Sequence, residues 1–268
     1  MIDAGKRNVL GINVNVIDYA GAVERIVRAA LNRRGLSVSA LAVHGLMTGV
    51  QDPEHKYRLN AFDLLVPDGQ PVRWALNVLH GTALADRVYG PNLMLDVCAR
   101  AARESLPIYL FGGSCDLLAK LRARLSERYP DLRICGCQRS RFRQLSSHER
   151  DDLVEQIRAS GAAITFVGLG CPRQEVWIYE CRDRLSMPLL AVGAAFNFHA
   201  GELSQAPVFL QRRGLEWLYR LTCEPKRLWQ RYLLLNPTYV ALLTGQALGV
   251  FRPNPQAAQP PTREILYG

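Results

Sequence analysis

No stretch of about 18 or more uncharged apolar residues occurs in this 268-residue chain, so nothing in it reads as a membrane-spanning helix. The N-terminus, MIDAGKRNVLGINV, lacks a basic region followed by a long apolar run and a small-residue cleavage site, and the chain is expected to be made and kept in the cytoplasm. No CxxC pair occurs. The seven cysteines are odd in number and scattered through apolar or helical stretches, the pattern of reduced thiols. Cys135 and Cys137 share one face of a strand in ICGC, but no second Cys or His pair stands nearby to complete a zinc site, and core packing accounts for them. Neither GxGxxG nor GxxxxGK[ST] is present, which argues against a standard dinucleotide or P-loop site. Without DxD, and without His and carboxylates at ligand spacing, metal dependence has no support and no cofactor is expected.

What is present is an ordinary globular composition, 49% hydrophobic and 21% charged, with a formal net charge of +9. Such a charge points to an anionic partner: nucleic acid, anionic lipid or a phosphorylated substrate. Short β-branched runs alternate with amphipathic stretches, the pattern of an α/β fold with a mainly parallel sheet. Helices are expected after Asp18, at about 53–61, 70–80, 92–104 and 115–128, after the capping box Ser146-x-x-Glu149, and from Pro172 to Leu185. Strands are expected at Val38 to Val43, Leu64 to Val66, Pro107 to Phe111, Leu132 to Cys135, Ala163 to Val167 and Leu189 to Val192. From Ala206 the texture changes to Arg, Trp and Tyr on helices interrupted by Pro225 and Pro237. The chain thus divides into a core, 1–205, a basic aromatic helical appendage, 206–250, and a Pro-rich tail, 251–268, expected to be flexible.

Three glycine turns follow strands: Gly112-Gly113, Gly168-Leu169-Gly170 and Val192-Gly193. At the carboxyl edge of a parallel sheet, glycine lets backbone approach a phosphate and helix N-termini supply positive potential, so a nucleotide site is the natural reading. Asp68 in VPDGQP ends an apolar run, where a carboxylate can face a cleft as a general base. Asp-Gly is also a turn signature, and on spacing alone the turn comes first. Arg87 suits a phosphate or a surface ion pair equally. Gln174 and Glu175 occupy the first turn of the helix after GLGCP, within reach of a ligand; helix capping alone would explain Glu175. His44 and His199 lie near loops as a base, a sugar contact or structural histidines. Arg220, Lys226, Arg227 and Arg231 interleave with Trp217, Tyr219, Trp229 and Tyr232, which suits a surface resting on anionic headgroups.

Taken together, DPEHKYRLNAFDLLVPDGQPVRWAL, RVYGPNLM, YLFGG, VGLGCPRQEVWI, VGAAFNFHAG and RRGLEWLYRLTCEPKRLWQRY resemble the WecG/TagA/CpsF glycosyltransferases, glycosyltransferase family 26, from about Gly11 to Gly245. Within that family the chain is similar to the GumM-like proteins of exopolysaccharide gene clusters. The resemblance implies a Rossmann-like core and an inverting, metal-independent transfer from a UDP-sugar to a polyprenyl-diphosphate-linked saccharide. It implies further that the appendage meets the inner face of the cytoplasmic membrane and helps close the active site. It makes Asp68 the base, assigns Arg87 and Gln174 to substrate binding, and directs Arg220, Arg227 and Arg231 to the acceptor diphosphate. Gly112, Gly113, Gly168, Gly170, Glu175 and Asn197 complete the expected donor site. The chain departs from the family where many members carry Thr-x-Asn: here Ala40-Leu41-Ala42 stands, followed by His44, which is the candidate to replace those polar groups. It departs again where FDF becomes Phe196-Asn197-Phe198. A basic nucleic-acid-binding protein and a nucleotide-binding oxidoreductase are the alternatives, but no nucleic-acid motif and no GxGxxG appears.

Overall fold

The structure, a computed structural model, describes residues 1–268 apart from the side chains of Arg227, Gln230 and Arg231. The chain opens with an antiparallel hairpin, β1 (Asp3–Val9) and β2 (Ile12–Ile17), turned by Leu10 and Gly11, both at positive φ. The hairpin was not expected from the sequence: β1 is polar and exposed along most of its length, and Leu-Gly is not one of the usual hairpin pairs. Asn15 secures it to the main sheet by accepting a hydrogen bond from Leu65 N at 2.8 Å.

There follow α1 (Tyr19–Leu31), β3 (Leu36–Leu41), α2 (Val43–Gln51), α3 (Pro53–Asn60), β4 (Leu64–Pro67), α4 (Gln70–His80), α5 (Gly90–Arg103), β5 (Ile108–Phe111) and α6 (Cys115–Arg128). The core is completed by β6 (Ile134–Gln138), α7 (Ser147–Ala159), β7 (Ile164–Val167), α8 (Arg173–Cys181), β8 (Pro188–Ala191) and α9 (Ala195–Ala200). Capping is local and chemical. Asp18 accepts from Gly21 N, Ser114 from Leu117 N, and Ser146 and Glu149 form both bonds of a capping box.

Six strands pair in parallel in the order β4-β3-β8-β7-β5-β6. Every residue of β4, β5, β7 and β8 is buried, because helices cover both faces of the sheet. One face packs against the hairpin, α2, α3, α4, α7 and α8, the other against α1, α5, α6 and α9. Each fully buried Leu, Ile or Phe in these layers contributes roughly 1.5–3 kcal/mol. The expected fold class, a Rossmann-like parallel sheet flanked by helices, is the observed one.

Beyond Ala206 come α10 (Val208–Arg212), α11 (Glu216–Cys223) and α12 (Pro225–Ala247). Pro225 interrupts the helical stretch as expected, α11 ending at Cys223 and α12 starting on Pro225, where its missing N–H costs nothing; Pro237 does not, and lies inside a continuous helix. The appendage is docked on the core. Tyr239 donates to Pro71 O at 2.9 Å, Gln246 Oε1 accepts from Leu10 N at 2.9 Å, and Trp74 covers Gly214. The tail has little regular structure and is bonded to the core at Glu180, which accepts from Ile265 N at 2.7 Å, and at Ser140, which donates to Gly268 O at 2.7 Å. No described helix is long and apolar enough to cross a membrane.

Candidate active site

The step from β7 leads to β8 while that from β5 leads to β6 on the other side, so the loops leaving β5 and β7 diverge. Ligands in open parallel sheets settle at such divergences, outside the strand ends. Gly112 and Gly168 meet there: a Cβ on Gly112, whose φ is +122°, would lie 2.6 Å from the Gly168 carbonyl. Both amides are already committed, Gly112 N to Gln138 O at 2.9 Å and Gly168 N to Phe111 O at 2.8 Å. These two glycines therefore bring the loops together, with their own N–H groups used in the sheet. Gly113 and Gly170 also hold positive φ, and nothing lies within 4 Å of a Cβ placed on Gly170.

Asp68 follows β4 directly. Its amide bonds to Leu41 O at 3.2 Å, and its Oδ1 accepts from Gly90 N, the first residue of α5, at 2.5 Å. Gly90 is the point of closest approach: a Cβ there would meet Ala40 Cβ at 2.9 Å, Asp68 Oδ1 at 3.4 Å and Val192 O at 3.5 Å. Thus the ends of β3, β4 and β8 converge on one carboxylate. Asp68 keeps a partial opening to solvent. Desolvation by its surroundings nonetheless pushes its pKa up to about 6, against the opposing pull of Arg87 and the Gly90 amide.

Arg87 is nearly buried and stacks 4.1 Å over the Tyr89 ring. Its guanidinium donates to Glu216 Oε2 at 2.6 Å and Gln211 Oε1 at 3.1 Å, while Tyr89 donates to Glu216 Oε1 at 2.9 Å. Glu216 and Gln211 belong to the appendage, so α10 and α11 close over the rim through this cluster. Arg220 from α11 also lies within electrostatic range of Asp68 and pairs with Glu224 at 3.8 Å. The sequence singled out Arg87 and Arg220 but missed Glu216 and Gln211. A Glu opening a helix reads as ordinary first-turn chemistry, and only the fold sets it 129 positions away against Arg87.

Gln174 and Glu175 make internal links. Both are buried, and Gln174 Oε1 accepts from Gly193 N at 3.1 Å while its Nε2 donates to Glu175 Oε1 at 2.9 Å. Ser39 Oγ donates to the same Glu175 oxygen at 3.0 Å. The pair ties the β8 glycine turn to β3. His199 bonds Pro91 O at 2.8 Å through Nε2, and burial lowers its pKa, the structural alternative for that residue. His44 lies in the first turn of α2, whose start at Ala42 abuts Gly69, 3.6 Å from a Cβ placed there. Asn197 in α9 reaches Glu202 at 3.5 Å. The side chains of Arg227 and Arg231 lie outside the described residues.

The glycosyl transferase WecG/TagA/CpsF family model matches residues 7–252, spanning the sheet, the Asp68 rim and the appendage. The chain belongs to that family. It is a family of glycosyl transferases in cell-surface polysaccharide synthesis, so the nucleic-acid and oxidoreductase alternatives fall away. Among glycosyl transferases, a desolvated carboxylate beside an arginine cluster has a ready use, since an acceptor hydroxyl must lose a proton as a phosphorylated leaving group departs.

Proposed function

We propose that the chain transfers a sugar, with inversion, from a UDP-sugar to a polyprenyl-diphosphate-linked saccharide at a membrane surface. The observation that carries the reading is Asp68: held by the Gly90 amide, raised to a pKa of about 6 and set beside Arg87 under the appendage. A base poised just below neutral pH is ionised at pH 7 yet still basic enough to take a proton in the transition state. Asp68 removes the proton from the acceptor hydroxyl as that oxygen bonds to the anomeric carbon. The bond from that carbon to the donor phosphate oxygen breaks, and UDP leaves with the electron pair.

Arginine supplies the positive charge at this rim. Arg87 and Arg220 steady the diphosphate anions, and Glu216 holds the Arg87 fork in shape until a phosphate takes its place. On this reading 1–205 is the catalytic core and 206–250 a lid that rests on lipid. Support for the lid comes from exposed Phe209, Trp229, Leu233 and Leu234 on helices that also carry Arg212 and Lys226. The test is incubation of the chain and lipid-linked acceptors with a panel of UDP-sugars, the product being read by mass. A product heavier by one sugar residue with release of UDP is expected, and absence of product across the panel with NMR-verified acceptors overturns the reading.

A further inference from the structure

At the GLGCP turn three side chains converge: His55 of α3, Cys171 of the turn before α8, and Glu175 of α8. Their ligand atoms all lie within 4.8 Å of one another. His55 is 1% exposed, and neither of its ring nitrogens has a hydrogen-bond partner. Glu175 is equally buried; Oε1 is used by Ser39 and Gln174, whereas Oε2 has no partner. The Cys171 thiol lies against the Glu175 carboxyl group. Buried polar atoms in proteins are nearly always satisfied, and the unsatisfied His55 ring and Glu175 Oε2 in one pocket call for a common partner.

We infer that His55, Cys171 and Glu175 form a binding site for one borderline-soft divalent metal ion of the zinc class. The donor set decides the class. A sulfur, an imidazole nitrogen and a carboxylate oxygen are the three protein ligand types of zinc, and a thiolate disfavours magnesium and calcium. Zinc held about 2.0–2.3 Å from each ligand needs ligand atoms about 3.3–3.8 Å apart, so side-chain movements of roughly an ångström suffice. Charge also permits it. The thiol yields its proton to solvent on binding, which leaves a thiolate and a carboxylate against the dication. The neighbouring Arg58 is already paired with Glu54 at 3.1 Å. The second shell is in place, because Ser39 and Gln174 hold the carboxylate oxygen that the ion would not use. Three protein ligands leave a fourth position for water. Such an ion would pin α3 to the GLGCP turn and to the Gln174 link, a structural task separate from sugar transfer.

The test uses the full chain, stripped of metal with a chelator. Zinc is titrated against a chromogenic chelator, and cobalt serves as the spectroscopic probe. The expected result is one equivalent bound, a thiolate-to-cobalt charge-transfer band with intense tetrahedral d–d bands, and a zinc-dependent rise in melting temperature. Cys171→Ser should abolish the charge-transfer band and weaken zinc at least ten-fold, and His55→Gln should weaken it likewise. A Cys115→Ser/Cys223→Ser double variant removes the exposed thiols and should keep both the band and the stoichiometry. Binding that survives Cys171→Ser, a band lost with the exposed thiols, or no binding by the wild-type chain would each overturn the site. Because the cobalt band is read on the unaltered protein, a variant that fails to fold leaves the decision intact.

Discussion

Strands β4, β5, β7 and β8 and helices α10 to α12 draw on the same apolar residues and use them in opposite ways. Every residue of those four strands is buried, whereas α10 and α11 bury none, and in α12 the anchors are Leu228 and Tyr239. Val208, Phe209, Leu233 and Leu234 are each more than half exposed. In the sheet, apolar side chains satisfy one another and fix the geometry of the rim. In the appendage several of them stay exposed, while Tyr239, Leu235, Leu242 and Leu243 of α12 pack on the core; α10 and α11 meet the rim through polar groups, Arg87, Tyr89, Gln211 and Glu216. The buried sheet and the exposed helices can each be perturbed alone.

The largest expected effect falls on the rim. Asp68→Asn keeps an acceptor for the Gly90 amide but cannot take a proton, and should lower transfer about 100- to 10,000-fold with UDP affinity little changed. For the wild type, kcat/KM should rise with pH through about 6, the pKa of Asp68. Stability should move the other way. A carboxyl group whose folded pKa is raised favours the folded state while protonated; that contribution is full below about 3.8 and is lost as pH rises through about 6. Asp68→Asn should therefore stabilise the chain at pH 8 by on the order of 1–3 kcal/mol and not at pH 4, by urea titration at both. A variant that loses turnover and stability together would mean that Asp68 is structural.

Next is the close approach of the strand-end loops. Gly112→Ala forces a Cβ into the Gly168 backbone at a φ of +122° and should cost about 2–4 kcal/mol. Gly170→Ala has strain but no clash, and should cost about 1 kcal/mol. Equal melting temperatures for the two would deny that the rim is packed more tightly than its outer loop.

At the link, Glu216→Gln leaves the nearly buried Arg87 without its charged partner, and the melting transition should fall by the equivalent of about 1–3 kcal/mol. If Glu216 occupies the seat of a phosphate, UDP should bind this variant several-fold more tightly by calorimetry, since it no longer displaces a carboxylate. Weaker UDP binding would make Glu216 a support for Arg87 and nothing more.

How much of this was legible beforehand follows the same division. The buried strands stand out as short apolar runs, and Asp18 and Ser146 start the helices they cap, because those signals are local. Gly112 and Asp68 were found as turn residues, but that Gly112 meets Gly168, or that Asp68 is desolvated, depends on strand order, which one sequence does not state. The hairpin escaped because its first strand has no apolar face to alternate. The first-turn position of Gln174 and Glu175 puts them within reach of a ligand or of a cap; their bonds to Gly193 and Ser39, distant in the chain, are not legible in it.

The smallest effects belong to the appendage, and they separate folding from docking. Leu233 and Leu234 are 63% and 68% exposed, so replacing both with Ser removes little packing and should leave stability within about 0.5 kcal/mol per site. Leu190→Ala in β8, fully buried, should cost about 2–5 kcal/mol. On a lipid surface the ranking inverts: each leucine newly buried in the headgroup region is worth up to about 1.5 kcal/mol, so the double variant should bind anionic vesicles at least ten-fold more weakly in a flotation assay. Lys226→Gln should cost about 1 kcal/mol of that binding at low salt and little at high salt. If the leucine variant floats with vesicles as the wild type does while Leu190→Ala merely unfolds, the exposed apolar face has some other occupant and the lid does not rest on lipid.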